Sequence, residues 1–123
     1  MDQQVVELFA VIDTMDVPTI AKAFTEDGTF RFGNSEPAVG REQVEQSVSA
    51  FFSMIGGLSH EITGVWSGTW DGGEVKSVEA EVTYARKDGT HTPPLPVTST
   101  LRLQGDLIKD YRIFMDLAPL FVE

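Results

Sequence analysis

The sequence predicts an α+β fold in which three N-terminal helices pack in the concave face of a curved antiparallel or mixed sheet, a cone-shaped, cystatin-like roll. Up to Gly57 the apolar residues recur at the helical period, whereas after Gly57 they alternate with period two. The second half is divided by Asp71–Gly73, Asp88–Gly89 and Gly105–Asp106, which are typical hairpin turns. Four strands joined by tight turns form an antiparallel meander, and only the preceding helices are available to cover one of its faces.

The first half of the chain contains three predicted helices and a short strand. Residues 3–15 form the first helix, because their apolar side chains recur at helical spacing. Asp16 is the predicted N-cap of a short second helix, and the strand Thr29–Phe32 follows it. The third helix begins at about Arg41 and ends at the Gly56–Gly57 pair, since glycine commonly follows a helix C-terminus.

The predicted meander consists of long strands. They are Ser59–Trp70, Glu74–Lys87, Thr92–Gln104 and Leu107–Leu117. Gly64 and Gly68 interrupt the first of them, and glycine inside a strand is typical of a bulge or a bend. We therefore expect the sheet to curve around the helices.

Composition excludes several classes of function. The net charge of -10 argues against binding to nucleic acid or to an anionic membrane surface, both of which attract basic proteins. The absence of cysteine excludes disulfides and thiolate ligands. The two histidines are far apart in sequence, so no metal site is predicted. No segment resembles a signal peptide or reaches the roughly 18 apolar residues of a membrane span, and a cytoplasmic protein is expected.

Three segments resemble the nuclear transport factor 2-like superfamily and, within it, the SnoaL-like polyketide cyclase group. They are Ala23–Phe32, Gly40–Glu42 and Asp110–Asp116. The resemblance extends over essentially the whole chain and implies a single SnoaL-like domain, 1–123, with a conical cavity between the sheet and the helices. This fold hosts isomerases, cyclases, epoxide hydrolases, dehydratases, binding modules and assembly domains, so the function has to be argued from the site.

The known catalytic patterns of this superfamily are largely missing. The base and second acid of ketosteroid isomerases would fall at Phe32 and Ser99, and the middle-strand Arg-Asp pair of limonene epoxide hydrolase would fall at Val82 and Tyr84. The aspartate of the last strand survives as Asp116. In SnoaL-like cyclases a single aspartate acts as acid and base without metal or cofactor. The resemblance therefore implies cofactor-independent acid/base chemistry.

Asp116 is the leading candidate for a catalytic residue, with His60 as its partner. Strand alternation puts Asp116 on the same face as Phe114, and an inward orientation would bring it near His60 or Tyr84. A neutral imidazole can relay a proton near pH 7. Two interpretations of Asp116 stay open: a carboxylate held in the pocket, or a structural cap for the segment that follows. His60 is equally compatible with a half-exposed residue at a strand start.

The candidate substrate-binding residues are aromatic side chains predicted to face the cavity. They are Phe9, Phe32, Trp66, Tyr84 and Phe114. The predicted function is cofactor-independent cyclase, isomerase or hydrolase chemistry on a small, mainly apolar molecule. The alternative is a non-catalytic module on the same fold, either for binding a small ligand or for dimerisation, in which these aromatic residues are core.

A homodimer through the convex face of the sheet is also predicted. The helices can cover only one face of the meander, which leaves the other available to a second copy of the chain. Val65, Thr69, Thr98 and Thr100 are the residues expected on that face.

Overall fold

The computed structural model describes residues 2–121, and this part of the chain contains three α-helices and six β-strands. The helices are α1 (Gln3–Asp13), α2 (Val17–Lys22) and α3 (Arg41–Phe52). The strands are β1 (Phe24–Phe32), β2 (Ala38–Val39), β3 (Gly57–Trp70), β4 (Gly73–Ala85), β5 (Leu95–Gln104) and β6 (Leu107–Phe114). A 3-10 helix, Ala118–Phe121, follows β6.

The strands form one six-stranded sheet in the order β2-β1-β6-β5-β4-β3. Strands β3 to β6 are the predicted antiparallel meander, and β1 joins it by pairing with β6 in parallel. The sheet is therefore mixed, and the three helices pack on its concave face. The predicted α+β fold is confirmed.

Most element boundaries lie within two residues of the predicted ones, and two of the exceptions have clear local causes. Strand β1 begins at Phe24 rather than Thr29, because the chain pairs with β6 on both sides of a register irregularity between these residues. Strand β5 begins at Leu95 because Pro93 and Pro94 cannot donate ladder hydrogen bonds. The two-residue strand β2 was not predicted.

Alternation along β4 shows how the sequence builds the core. Val78, Val82 and Tyr84 point toward the helices and are at most 2% exposed, whereas Glu79 and Glu81 between them are exposed on the convex face. Burial of these apolar side chains against the helices is the main source of stability for such a layer.

A bulge in β3 reverses the faces of that strand halfway along its length. His60 and Ile62 face the helices, but the register shifts between Ile62 and Gly64. Beyond the shift Val65 lies opposite the buried Val78 and Trp66 turns to the convex face, where its ring covers Gly64. The bulge expected in this strand is confirmed at Gly64. Its consequence is that Val65, predicted on the convex face, packs on the concave side, and Thr69 shares that face.

The N-terminus of α1 is fixed to the sheet by an ion pair. Asp2 is the N-cap of α1, and its Oδ1 accepts a hydrogen bond from the Val5 backbone N–H at 3.1 Å. Its Oδ2 lies 2.6 Å from Nζ of Lys76, a β4 residue that is only 6% exposed. Gln4 Oε1 accepts a second hydrogen bond from the same ammonium group.

No helix within residues 2–121 is long and apolar enough to cross a membrane.

Candidate functional site

A narrow cavity of about 60 Å³ lies between the helices and the concave face of the sheet. All three helices and every strand except β2 contribute side chains to its wall. Seven of the sixteen lining residues are Phe or Tyr, and seven more are Ile, Leu, Val or Met. His60, Ser99, Tyr84 and Tyr111 supply the polar atoms of an otherwise apolar wall.

Asp13 and His60 form the most specific polar arrangement at this wall. His60 Nδ1 lies 2.6 Å from Asp13 Oδ1, and the His60 backbone N–H donates to Asp13 Oδ2 at 2.9 Å. The side chain of Asp13 is 25% exposed and that of His60 is 10% exposed, so the pair is largely shielded from water. Since both carboxylate oxygens bind the same residue, the position and the orientation of the imidazole are fixed together.

The hydrogen bond to Asp13 also determines the tautomer of His60. An ionised carboxylate can only accept, so Nδ1 carries the proton and Nε2 of the neutral ring is an acceptor. Within residues 2–121 Nε2 makes no hydrogen bond, which leaves it available to a ligand. Phe9, one helical turn before Asp13, packs edge-on against the imidazole with ring centroids 5.0 Å apart.

Two buried tyrosines bring hydroxyl groups to the same cavity. Burial raises the pKa of Tyr111, the nearby Ser99 hydroxyl lowers it, and the Asp13 carboxylate adds to the rise. Burial likewise raises the pKa of Tyr84, and Tyr111 contributes to this rise. The Tyr84 hydroxyl donates to Met115 Sδ at 3.6 Å. Both phenols are therefore neutral hydrogen-bond donors over the physiological pH range.

The structure places Asp116 outside this cavity, so the predicted inward orientation is wrong. Along β6 and the residues after it, Tyr111 and Met115 face the cavity, and Asp116 belongs to the alternate, convex face. Its Oδ1 accepts a hydrogen bond from the Ala118 backbone N–H at 2.9 Å. Asp116 is exposed and caps the 3-10 helix, and it reaches neither His60 nor Tyr84.

Two of the predicted wall residues also lie on the convex face. Trp66 is 56% exposed because the β3 bulge reverses its side, and Phe114 is 51% exposed because it alternates with Tyr111. Phe9 is buried behind His60 and does not line the cavity. His60, Tyr84 and Phe32 do lie on the cavity wall, and their roles there stay predictions.

Three site residues were missed from the sequence: Asp13, Ser99 and Tyr111. Asp13 carried a signal, since it lies four residues after Phe9 on the buried side of a helix. It is also the last residue of α1, where the helix dipole disfavours an anion. A carboxylate in that position needs a hydrogen-bond donor from another element. Ser99 carried a signal too, because it shares a strand face with Val97 and Leu101, whereas the alternate residues are Thr98 and Thr100. Tyr111 lies on a strand whose two faces are both rich in apolar side chains, so its side could not be predicted.

The electrostatics of the cavity wall are simple. None of the sixteen lining residues is Lys or Arg, and the Asp13 carboxylate is bound to His60 of the wall. Within residues 2–121 no group of three or more His, Cys, Asp or Glu side chains is placed to hold a metal ion.

Solved structures with low sequence identity share this fold. A hypothetical protein with a ketosteroid isomerase-like fold from Catenulispora acidiphila, in complex with trimethylamine, is 20% identical, with 97% of this chain and 89% of that chain covered and a TM-score of 0.80. A putative SnoaL-like polyketide cyclase from Jannaschia sp. CCS1 is 19% identical. The match covers 97% of this chain and 87% of that chain, with a TM-score of 0.76. The epoxide hydrolase/cyclase-like enzyme SalBIII, which acts in pyran ring formation in salinomycin, is 17% identical. The match covers 95% of this chain and 91% of that chain, with a TM-score of 0.77.

These likenesses show the fold. No functionally curated protein sequence matches the chain. The family model of the SnoaL-like domain matches residues 5–111, which is most of the sequence. The chain therefore belongs to the SnoaL-like domain family.

Proposed function

We propose that the cavity is the active site of a small-molecule enzyme that works by acid/base chemistry without a cofactor. The observation that carries the proposal is the double hydrogen bond between Asp13 and His60 at an apolar wall. Asp13 and His60 replace the predicted pair of Asp116 and His60, because Asp116 lies on the other face of the sheet. Membership of the SnoaL-like family supports a role with small molecules.

His60 is the general base in this proposal. Nε2 takes a proton from a C–H or O–H group of the substrate, and the Asp13 carboxylate stabilises the resulting imidazolium through Nδ1–H. The imidazolium then returns the proton to another atom of the substrate or to a leaving group. Return to a different carbon gives isomerisation, activation of a substrate nucleophile gives cyclisation, and activation of water gives hydrolysis.

The hydroxyl groups of the wall act as neutral hydrogen-bond donors. Tyr111, Ser99 and Tyr84 line the same cavity as His60, so they are placed to stabilise negative charge that develops on a substrate oxygen. The wall is otherwise apolar, which favours a small, mainly apolar substrate. At about 60 Å³ the cavity accommodates only a compact group, and a larger substrate requires the half-buried Phe32, Phe51 and Met115 to move.

Hydrogen–deuterium exchange at the α-carbons of small ketones tests the proposal without knowledge of the natural substrate. Cyclopentanone and cyclohexanone are suitable probes, and the rate of α-proton loss in D2O is followed by NMR. We expect the protein to accelerate exchange, and Asp13→Asn or His60→Gln to lower the rate by roughly 10²–10⁴-fold. Asp116→Asn is the matched control, and it should leave the rate unchanged.

The alternative is a non-catalytic module that binds a small ligand in the same cavity. Its support is the predominance of apolar side chains on the wall. In that case the ketones bind, as chemical-shift changes at Met115 and Ile113 would show, while exchange proceeds at the same rate with the wild-type protein and His60→Gln. This result would overturn the catalytic proposal.

We also propose that the chain forms a homodimer through the convex face of its sheet. Trp66 and Phe114 expose more than half of their surface there. The same face carries Arg112 on β6 and Glu79 and Glu81 on β4, so a second copy can offer complementary charge.

A further inference from the structure

We propose that the cavity receives a small alkylated ammonium group, of the size of a trimethylammonium head. The inference rests on the proposed function in one respect, because it names the chemical class of the ligand for the same cavity. Three properties support the inference: the aromatic composition of the cavity wall, the charge near the cavity and the volume of the cavity.

Two groups of contacting aromatic rings belong to the cavity wall. In the first, Tyr111 and Phe30 pack edge to face, with ring centroids 5.5 Å apart and planes inclined at 67°. In the second, the ring centroid of Phe51 lies 5.3 Å from that of Phe32 and 5.7 Å from that of Tyr84, and the planes of Phe51 and Tyr84 are inclined at 75°. All five rings line the cavity, and they form an aromatic box in which no two contacting rings are parallel. Such a box binds cations without hydrogen bonds.

The charge of the site favours a cation over an anion. Neither Lys nor Arg lines the cavity, whereas the Asp13 carboxylate lies directly behind His60. The chain as a whole carries a net charge of -10, which raises the concentration of cations near its surface. An anionic ligand would meet no positive charge on the wall unless His60 were protonated.

The size of the cavity and the apolar character of its wall select the kind of cation. A primary ammonium group has three N–H donors and would lose hydration that this wall, with its few polar atoms, cannot replace. Methyl groups cover most of an alkylated ammonium, so its surface is apolar and its loss of hydration costs less. A trialkylated ammonium retains one N–H, which can donate to His60 Nε2.

Choline and 3,3-dimethylbutan-1-ol test the inference, because they have the same shape and differ in a charged nitrogen against a neutral carbon. Dissociation constants are measured by NMR titration of the full chain at constant ionic strength, with shifts followed at Ile113 and Met115. We expect choline to bind at least about tenfold more tightly than its neutral isostere. Equal or tighter binding of the alcohol, or choline binding that shifts only surface residues, would overturn the inference, as would no binding at millimolar choline.

Two variants test whether the preference for choline over the neutral alcohol arises in the aromatic box. Phe51→Leu keeps an apolar side chain of similar volume and removes one ring of the box, so the ratio of the two dissociation constants should fall severalfold. Phe114→Leu makes the same change on the convex face, and it should leave the ratio unchanged. An unchanged ratio in Phe51→Leu, or an equal fall in both variants, would contradict an aromatic box.

The outcomes separate this inference from the proposed function. Preferential binding of choline without ketone exchange leaves the inference standing and removes the catalytic role. Ketone exchange that depends on Asp13, together with tighter binding of the neutral alcohol, leaves the catalytic role standing and removes the inference.

Discussion

Asp13 uses both of its carboxylate oxygens on His60, one for the ring and one for the backbone. It is the last residue of α1, where the aligned peptide dipoles leave a partial negative charge that disfavours an acid. The two hydrogen bonds offset this cost and fix the imidazole at the same time. Asp116 is bonded to a backbone N–H as well, but on the solvent side of the sheet. Asp13 therefore meets the cavity wall through His60, whereas Asp116 is excluded from the cavity by the face on which it lies.

The buried phenols make a prediction about alkaline pH. Burial raises the pKa of Tyr84 and Tyr111 in the folded chain above the ordinary value of 10.0. Because the folded state holds these protons more tightly, their contribution to stability is complete below pH 10 and is lost as the pH rises toward the folded-state pKa. Each tyrosine should lower the free energy of unfolding by up to about 1.4 kcal/mol per pH unit in that range.

Urea unfolding at pH 7 and at several pH values above 10 measures this effect. Tyr84→Phe should differ little from the wild type at pH 7, since it loses only a contact with Met115 Sδ. Above pH 10 the variant should lose stability less steeply than the wild type. Parallel pH profiles for the two proteins would contradict the prediction, because the lysines that also titrate there are common to both.

At the scale of elements, two strands explain why part of the site was not predictable. Period-two alternation assigns faces correctly only where the register is continuous, and the bulge in β3 turns Trp66 away from the face of His60. In β6 both faces are rich in apolar side chains, so the sequence does not say whether Tyr111 or Phe114 points inward. Most helices, strands and turns were predictable because they depend on local patterns, whereas β2 and the first half of β1 depend on pairing with distant residues.

The Asp2–Lys76 pair predicts an acid-sensitive anchor for α1. The hydrogen bond from Lys76, opposed by burial and helped by the Val5 N–H, holds the pKa of Asp2 below its ordinary value of 3.8. The stability that Asp2 contributes is therefore present above about pH 4 and is lost as the pH falls through its folded-state pKa. Asp2→Ala should lower the free energy of unfolding at pH 7 by about 2–4 kcal/mol, because it removes a cap and leaves the buried ammonium without its main partner.

Three further variants separate the charge from the cap, each measured by urea unfolding. Asp2→Asn retains an N-cap acceptor and should lose less than Asp2→Ala. Lys76→Met replaces a buried cation by an apolar side chain of similar length, and it should also cost less than Asp2→Ala. Asp16→Ala removes the N-cap of α2. No buried lysine lies beside Asp16, so the loss of unfolding free energy should be smaller than in Asp2→Ala. A loss in Lys76→Met that equals or exceeds that in Asp2→Ala would contradict this account.

At the scale of the whole molecule, the sheet has one covered face and one uncovered face. The concave face meets the three helices and holds the cavity, while in residues 2–121 no element covers the convex face. Five strands about 4.8 Å apart give a surface roughly 20 Å wide and 35 Å long, close to the roughly 800 Å² per partner of a standard interface. Trp66 and Phe114 are the large aromatic residues exposed on it.

This geometry predicts a homodimer that depends on the convex face. Light scattering of the wild-type protein at micromolar concentration should give about twice the chain mass of 13.5 kDa. Trp66→Glu should shift the protein to the monomer, because it puts a charge at a position that the dimer would remove from water. The new carboxylate would also lie near Glu79 of the same sheet. Met54→Glu is the matched control, since Met54 is 49% exposed just beyond α3 and off the sheet. A wild-type mass of 13.5 kDa, or equal dissociation in both variants, would show that the two copies do not meet through this face.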